Sequence, residues 1–192
     1  MLRGRCFKLE QSLLIHKAIV YATKAHAGQK RKASDVDYIS HPMEVMEILA
    51  LNNASINLRI AGILHDTVED TQVTIEDIEK NFGSEVRTLV ASHTEDKSKT
   101  WHEKKQHTVD FLKKATLEEK LLALADLIAN ARSILYDMDI LGDDVWSRFK
   151  ATKEEEEWYY NGILDSVKEF KTDEKYEKLY KEAEKLCSRI FE

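Results

Sequence analysis

The sequence predicts an all-α protein, and three observations support this fold class. Apolar residues recur with the helical period of about 3.6 residues along most of the chain, and no segment shows the alternation of a strand. Residues that interrupt helices are scarce, with 1 proline and 6 glycines among 192 residues. Hydrophobic residues make up 43% of the chain, which excludes a disordered protein and provides material for a core.

The first predicted helix spans about residues 10–27 and is followed by a loop. Its apolar stripe consists of Ile15, Ala18, Ile19, Ala22 and Ala25. The next segment, residues 28–40, loses this periodicity and contains a compact cluster of basic residues. We therefore interpret residues 28–40 as a loop.

Two helices with strongly apolar sequences follow this loop. Pro42 fits the first turn of the first one, with Ser40 or His41 near its cap, and the apolar pattern continues to about Asn52. A short and very apolar helix is expected over residues 56–66.

Three later helices have well-marked N-termini. A threonine followed three residues later by Asp or Glu has the spacing of a capping box, in which both side chains accept backbone N–H groups. The pairs are Thr74 with Asp77, Thr116 with Glu119, and Thr152 with Glu155. The first helix should end at residues 82–83, where Gly83 supplies a left-handed cap, and another should cover residues 84–94. After a polar loop, the second marked helix should run to about Leu141, and a charged outer helix should cover about residues 173–190.

Charge and cysteine content exclude several classes of protein. The 29 basic and 35 acidic residues give a net charge of −6, which disfavours a general nucleic-acid or membrane-surface binder. No apolar run approaches the ~20 residues of a membrane span, and residues 1–10 lack the apolar region of a secretory signal. Cys6 and Cys187 lie near opposite ends of the chain. A single disulfide is one interpretation, but two reduced thiols in a cytoplasmic protein is the simpler one.

Asp126 is the charged residue whose position most needs an explanation. It lies within residues 121–129, where almost every face of the predicted helix is apolar. A buried carboxylate is costly unless it is paired, hydrogen-bonded or bound to a metal. An ion pair with an arginine or the cap of a neighbouring helix would satisfy it, as would a metal ion. Asn130, one turn later, shares the same face and extends this polar feature.

A second group of polar residues ends the apolar helix at residues 56–66. His65 and Asp66 come directly after the apolar run, and Glu69 and Asp70 follow them. If the helix continued, His65 would share a face with Glu69, and Asp66 with Asp70. Imidazole and carboxylate are ligands for Mn, Fe, Zn or Mg, and further carboxylates can orient or deprotonate water.

His41 and the basic cluster at residues 29–32 are the remaining candidates. A lone histidine at a helix start is either a structural hydrogen-bond donor or a ligand, and the sequence leaves both open. The basic cluster is either a solvated loop or a clamp for phosphate and purine, because arginine both stacks on a base and forks onto phosphate oxygens. The other histidines lack a comparable setting; they are His16, His26, His93, His102 and His107.

Three strings of residues, in this order, resemble a known family. They are residues 25–32 (AHAGQKRK), residues 38–42 (YISHP) and residues 64–71 (LHDTVEDT). The chain resembles the hydrolase domain of RelA/SpoT-type enzymes, and especially the small stand-alone alarmone hydrolases of the metazoan SpoT-homologue type. These are HD-domain metal-dependent phosphohydrolases. The resemblance covers about residues 9–164, so we expect a single HD domain over residues 1–192, with a charged C-terminal helix and no synthetase domain.

The resemblance implies a helical bundle with one divalent metal ion, usually Mn²⁺. The implied ligands are His41, His65, Asp66 and Asp126. The resemblance also assigns Glu69 and Asp70 to the activation of the hydrolytic water. The implied nucleotide contacts are Arg31, Lys32, Asn130, Arg132 and Lys104.

The activity implied by the resemblance is removal of the 3′-pyrophosphate from guanosine tetra- or pentaphosphate, which gives GDP or GTP. One alternative is an HD phosphohydrolase acting on another nucleotide, such as the 2′-phosphate of NADPH. Another is a nucleotide sensor without turnover, although the complete set of implied site residues argues against it. The expected partner is a small nucleotide, with neither nucleic acid nor membrane, and a homo-oligomer is left open.

Overall fold

The computed structural model describes residues 2–32 and 34–192, and side chains from residue 9 onward within these ranges. The described residues form helices joined by turns and contain no strand; an isolated antiparallel bridge joins Lys30 to Asp37. The predicted all-α fold class is therefore confirmed. The chain divides into two compact units, Met1–Thr94 and Glu95–Glu192. The expectation of a single domain stays a prediction.

The first unit is built around a short helix that is buried along most of its length. The helices are α1 (Leu2–Ala25), α2 (Ser40–Leu51), α3 (Ile56–Leu64), α4 (Thr67–Asp70), α5 (Ile75–Phe82) and α6 (Ser84–His93). Helix α3 packs against α1, α2 and α6, and its residues from Ile60 to Leu64 are fully enclosed. Because every face of this segment is apolar, it can be surrounded by helices without burying an unpaired polar group.

The second unit is built around a long helix. The elements are α7 (Trp101–Leu112), α8 (Leu117–Leu141), a 3₁₀ segment (Gly142–Arg148), α9 (Lys153–Ser166), a second 3₁₀ segment (Lys168–Thr172) and α10 (Glu177–Phe191). Helix α8 packs against α9 and α10, and α7 packs against α9. The apolar run of α8 around Asp126 is buried as the sequence predicts.

The three predicted capping boxes are present. In each, the threonine hydroxyl accepts a backbone N–H and the carboxylate three residues later accepts the N–H of the threonine. A fourth box, formed by Thr100 and Glu103, begins α7, a helix that the sequence analysis did not predict. These bonds fix the N-terminus of each helix at the expected residue because they are made within four consecutive residues.

Some element bounds differ from those expected. Helix α1 extends from Leu2 to Ala25 and ends two residues early, in a turn where Gly28 has a φ of +79°. Helix α10 begins at Glu177 rather than near residue 173 because the Asp173 carboxylate accepts the N–H groups of Lys175 and Tyr176, which forms a turn instead.

Gly83 ends α5 with a positive φ, as expected, but not in the left-handed helical conformation. Its φ of +92° is combined with an extended ψ of 169°, which is accessible to glycine. Its N–H bonds to the carbonyl of Glu79, and the next residue already belongs to α6. The extended ψ lets the chain turn directly from one helix into the next.

None of the described helices is long and apolar enough to cross a membrane. Cys187 is a buried free thiol on α10, and burial raises its pKa to about 12. The side chain of Cys6 lies outside the described residues, so the expectation for this cysteine stays a prediction.

Candidate metal centre

His41 is placed in the first turn of α2, beside Pro42. The residue that caps this helix is Ile39, whose φ of −56° and ψ of −21° are already helical. Ser40 was expected near the cap, but its hydroxyl donates backwards to the carbonyl of Asp37 at 2.8 Å. The chain therefore enters α2 through a turn, and the side chain of His41 is buried.

His65 follows the last residue of α3, close to His41. Helices α2 and α3 can approach closely because Gly62 has no side chain: a Cβ there would lie 2.7 Å from the Leu49 side chain. The rings of His41 and His65 are consequently 5.3 Å apart between centroids. A nitrogen of each ring lies within 4.8 Å of one in the other, which is a distance that one metal ion can bridge.

The hydrogen bond of His65 determines which of its nitrogens can bind a metal. Its Nδ1 lies 2.8 Å from the carbonyl oxygen of Gly62. Because a carbonyl only accepts hydrogen bonds, Nδ1 carries the proton, and Nε2 of the neutral ring carries the lone pair. That Nε2 is 3.2 Å from Oδ1 of Asp66, and Nε2 of His41 is 3.6 Å from Oδ2 of the same carboxylate. The lone pair of His65 Nε2 thus faces the oxygens of Asp66, and this arrangement favours a cation between them.

Tyr38 holds the Asp66 carboxylate in place. Its hydroxyl donates a hydrogen bond to Oδ2 of Asp66 at 2.7 Å. Burial, and then the charges of Asp66 and Asp70, raise the pKa of Tyr38 well above its usual value, so this group stays a donor. The sequence analysis gave Tyr38 no role; its position three residues before His41 was the available signal.

Glu69 and Asp70 lie on α4, a single helical turn. The expected helix over residues 56–66 ends instead at Leu64, so α3 does not continue into α4. The buried hydroxyl of Thr67 donates to the carbonyl of Leu64 and stabilises the turn between them. The N–H of Asp70 bonds to the carbonyl of Asp66 at 2.8 Å, which links the end of α4 to the residue beside His65.

His93 is a neighbour of His65 that the sequence analysis missed. It is the last residue of α6, and its ring packs edge-on against that of His65 at 5.1 Å between centroids. No local pattern could have shown this, because the contact depends on the packing of α3 against α6.

Arg31 lies beside Tyr38 in the basic loop. The central carbon of its guanidinium group is 5.7 Å from the centre of the Tyr38 ring. The backbone bond from Arg31 to Val36 closes the loop, while Lys30 forms an ion pair with Asp37 at 2.7 Å. Arg31 therefore lies next to Tyr38, whose hydroxyl bonds to Asp66.

Lys32, next to Arg31, is exposed, and the other predicted site residues lie in the second unit. Asp126 is half-buried in the middle of α8, where Asn130 donates a hydrogen bond to its Oδ1 at 2.8 Å. Two basic residues predicted to contact the nucleotide form ion pairs within the protein. Lys104 is 3.8 Å from the carboxylate of Glu95, and Arg132 is 2.6 Å from that of Glu182.

Lys105, Glu95 and Tyr159 form a further polar group in the second unit. The ammonium of Lys105 is 2.8 Å from Oε1 of Glu95 and 4.5 Å from the centre of the Tyr159 ring. Burial disfavours the charged ammonium, but the effects of Tyr159, Glu95 and Asp126 exceed it, so the pKa of Lys105 lies above its usual value. Burial also raises the pKa of Tyr159 to about 12.

The family to which the chain belongs follows from a comparison with known families. A model of the HD domain matches residues 18–154. This range includes all four predicted metal ligands, namely His41, His65, Asp66 and Asp126. The chain belongs to the HD domain family. The predicted resemblance is thereby confirmed.

Individual relatives within the HD domain family are also similar. The guanosine-3′,5′-bis(diphosphate) 3′-pyrophosphohydrolase of Xenopus tropicalis is 36% identical over 124 residues, which cover 63% of this chain and 69% of the relative. The human protein of the same name is 34% identical over 145 residues, covering 74% and 78%. A solved structure of a metazoan ortholog of SpoT, described as hydrolysing ppGpp, has a TM-score of 0.75 and 26% identity. That match covers 92% of this chain and 94% of the other.

Membership in the HD domain family implies a divalent metal ion. The described side chains of the first unit fit one: two imidazoles and a carboxylate converge, and the hydrogen bond to Gly62 leaves Nε2 of His65 as the ligand atom. A donor set of nitrogen and oxygen without thiolate suits Mn, Fe or Zn ions.

Proposed function

We propose that the chain is a guanosine-3′,5′-bis(diphosphate) 3′-pyrophosphohydrolase. The observation that carries this proposal is the convergence of His41, His65 and Asp66, one turn before Glu69 and Asp70, in an HD domain. Two relatives at 34% and 36% identity are named for this activity. In the reaction, the oxygen of water forms a bond to the phosphorus attached to the 3′ oxygen, and the bond between this phosphorus and the 3′ oxygen breaks. The 3′ oxygen takes a proton and becomes the 3′ hydroxyl group. The products are pyrophosphate and GDP or GTP.

Four residues would hold the metal ion, namely His41, His65, Asp66 and Asp126. When bound, a divalent ion supplies Lewis-acid polarisation of the phosphoryl group, and the mixed nitrogen and oxygen ligands without a thiolate favour Mn²⁺ over a structural zinc ion. His65 presents Nε2 because its Nδ1 is bonded to Gly62, and Tyr38 fixes the orientation of Asp66. Asp126 is included because its carboxylate lies in the most apolar part of α8.

Glu69 and Asp70 would take the proton of the attacking water. Glu69 is half-buried and Asp70 is exposed, and both lie on the turn that follows Asp66. A carboxylate in this position acts as a general base without being a ligand.

Arg31, Lys32 and Asn130 would contact the nucleotide. The guanidinium group of Arg31 combines a charge for phosphate with a planar face for a purine. Lys104 and Arg132 belong to the same proposed set, but a phosphate would have to compete there with the carboxylates of Glu95 and Glu182.

The proposal is tested by product analysis. Purified protein is incubated with guanosine tetraphosphate and Mn²⁺, with and without a chelator, and GDP and pyrophosphate are quantified. We expect equal amounts of both products, loss of turnover on chelation and recovery on addition of Mn²⁺. Activity that survives complete chelation would contradict the role of the metal, and absence of product would contradict the proposed function.

The same assay separates the alternatives. Release of phosphate from NADPH without turnover of guanosine tetraphosphate would support a phosphohydrolase for another nucleotide. Binding of guanosine tetraphosphate without turnover would support a sensor. Location in the cytoplasm and the oligomeric state stay predictions.

A double substitution tests the proposed proton transfer. Glu69→Gln combined with Asp70→Asn should lower kcat by about 10²- to 10⁴-fold, because the side chains can no longer accept a proton. Metal content per chain and nucleotide affinity should stay near those of the wild type.

The matched control removes the same two charges elsewhere. Glu76→Gln combined with Glu79→Gln changes two exposed carboxylates of α5 and should leave kcat unchanged. If the Glu69 and Asp70 double variant keeps wild-type kcat, these residues do not move the proton.

A further inference from the structure

Gln29 connects three parts of the first unit through both its side chain and its backbone. Its Nε2 donates to the carbonyl oxygen of Asp70 at 2.7 Å, and its Oε1 lies 2.7 Å from Nδ1 of His26. Its carbonyl accepts the N–H of Tyr38, and its N–H bonds to the carbonyl of His26. Gln29 thus contacts the residue that ends α4 and the tyrosine that holds Asp66.

These contacts determine the orientation of the Gln29 amide. Because the Asp70 carbonyl only accepts hydrogen bonds, the NH₂ group must face it, and the amide oxygen must face His26. His26 consequently donates through Nδ1. Its ring is buried and packs against the Tyr38 ring at 4.9 Å between centroids, so the imidazole has a fixed position from which to hold the amide.

Helix α4 depends on contacts outside itself. It consists of four residues, and a single helical turn is unstable alone because the entropy of ordering exceeds the gain from its few bonds. The last carbonyls of a helix also lack partners within the helix. The Gln29 amide supplies a donor to one of these carbonyls, that of Asp70 itself, from a segment 41 residues earlier in the chain.

We infer that Gln29 is a positioning residue for hydrolysis, whose side-chain amide holds the end of α4 and thereby fixes where Glu69 and Asp70 stand. His26 orients this amide. The inference rests on the proposed function, because Gln29 would act only by positioning Glu69 and Asp70, the residues proposed to take the proton.

Substitution of Gln29 by methionine tests this role. Gln29→Met keeps the length of the side chain but removes the donor to Asp70 and the acceptor for His26. We expect kcat to fall by about 10- to 100-fold, since small misplacements of catalytic groups have effects of this size. KM should change by no more than about threefold, because the bond is to the catalytic segment and not to the nucleotide. The Mn²⁺ content per chain should be unchanged.

A second variant covers the case in which Gln29→Met folds poorly. Gln29→Glu keeps the acceptor for His26 but places a carboxylate against the carbonyl of Asp70. It should therefore lower kcat at least as much as methionine does. Gln106→Met is the matched control, because it removes a half-buried side-chain amide bonded to Asp110 on α7, and its kcat should equal that of the wild type.

The decisive measurement combines Gln29→Met with the Glu69→Gln and Asp70→Asn variant. If Gln29 acts through these two residues, it should lower the residual kcat by less than about twofold in that background. The inference would be overturned if Gln29→Met lowered kcat by the same factor in that background as in the wild type. A wild-type kcat in both Gln29 variants would also overturn it. Absence of ppGpp hydrolysis by the wild type would instead contradict the proposed function.

Discussion

His65 and Tyr38 show how single hydrogen bonds prepare the candidate site for a cation. The Gly62 carbonyl keeps the proton of His65 on Nδ1, and the Tyr38 hydroxyl donates to the Asp66 carboxylate. Partners of this kind orient ligands, and the carbonyl that accepts the N–H of His65 also raises the basicity of its ring. The second of these bonds can be removed without changing a proposed ligand.

Tyr38→Phe should weaken binding of Mn²⁺ by about 10- to 100-fold, the usual effect of losing a partner of a metal ligand. The ring that packs against His26 and Arg31 is retained, so the loop should keep its position. Calorimetric titration with Mn²⁺ measures the change. Tyr136→Phe removes an exposed hydroxyl and serves as the control. An unchanged dissociation constant for Tyr38→Phe would show that its hydroxyl does not support the site.

At the scale of elements, the helix N-termini respond to pH through their capping boxes. Hydrogen bonds from the backbone and then the side chain of Thr74 hold the pKa of Asp77 below its usual value of 3.8. Bonds from the side chain and then the backbone of Thr100 hold the pKa of Glu103 below 4.5. A carboxyl whose pKa is lower in the folded state stabilises that state above its unfolded pKa. This contribution disappears as the pH falls through the folded pKa.

Asp77→Asn and Glu103→Gln should therefore lower the melting temperature at neutral pH and converge with the wild type in acid. The difference should begin to shrink near pH 4.5 for Glu103 and near pH 3.8 for Asp77. Thermal unfolding from neutral pH to about pH 2 tests this expectation. Glu79→Gln, at an exposed position of α5, is the control. A difference that is independent of pH would contradict the assignment of these carboxylates as caps.

At the scale of the whole molecule, binding of a metal ion and the stability of the fold are linked. A ligand that binds only the folded protein stabilises it by mass action, by about 2.7 kcal/mol at a concentration of one hundred times Kd. Metal-dependent stability therefore reports which residues bind the ion.

Mn²⁺ should raise the melting temperature of the wild type, and this increase should be lost in both His41→Ala and Asp126→Asn. The Glu69→Gln and Asp70→Asn variant should keep the increase, because its substitutions are not at ligands. Differential scanning fluorimetry with and without Mn²⁺ measures the effect. A full increase in Asp126→Asn would remove this aspartate from the proposed ligand set.

The sequence by itself determined most of the helices, although not α7, and the residues worth examining. The capping boxes at Thr74, Thr116 and Thr152 were predictable because the bonds that form them lie within four residues. The isolation of Asp126 in an apolar helix was predictable because helical period and hydrophobicity are local properties. The family strings added the implied ligands and activity.

The tertiary structure alone decided how the side chains of the candidate site meet. Tyr38 reaches Asp66 across 28 residues, and Gln29 reaches Asp70 across 41 residues. The break between α3 and α4 and the contact of His93 with His65 likewise follow from packing. No local pattern encodes such contacts, because they depend on how closely α2 and α6 approach α3. The size of the side chains between the helices sets this distance, as at Gly62, where the absence of a side chain lets α2 come close.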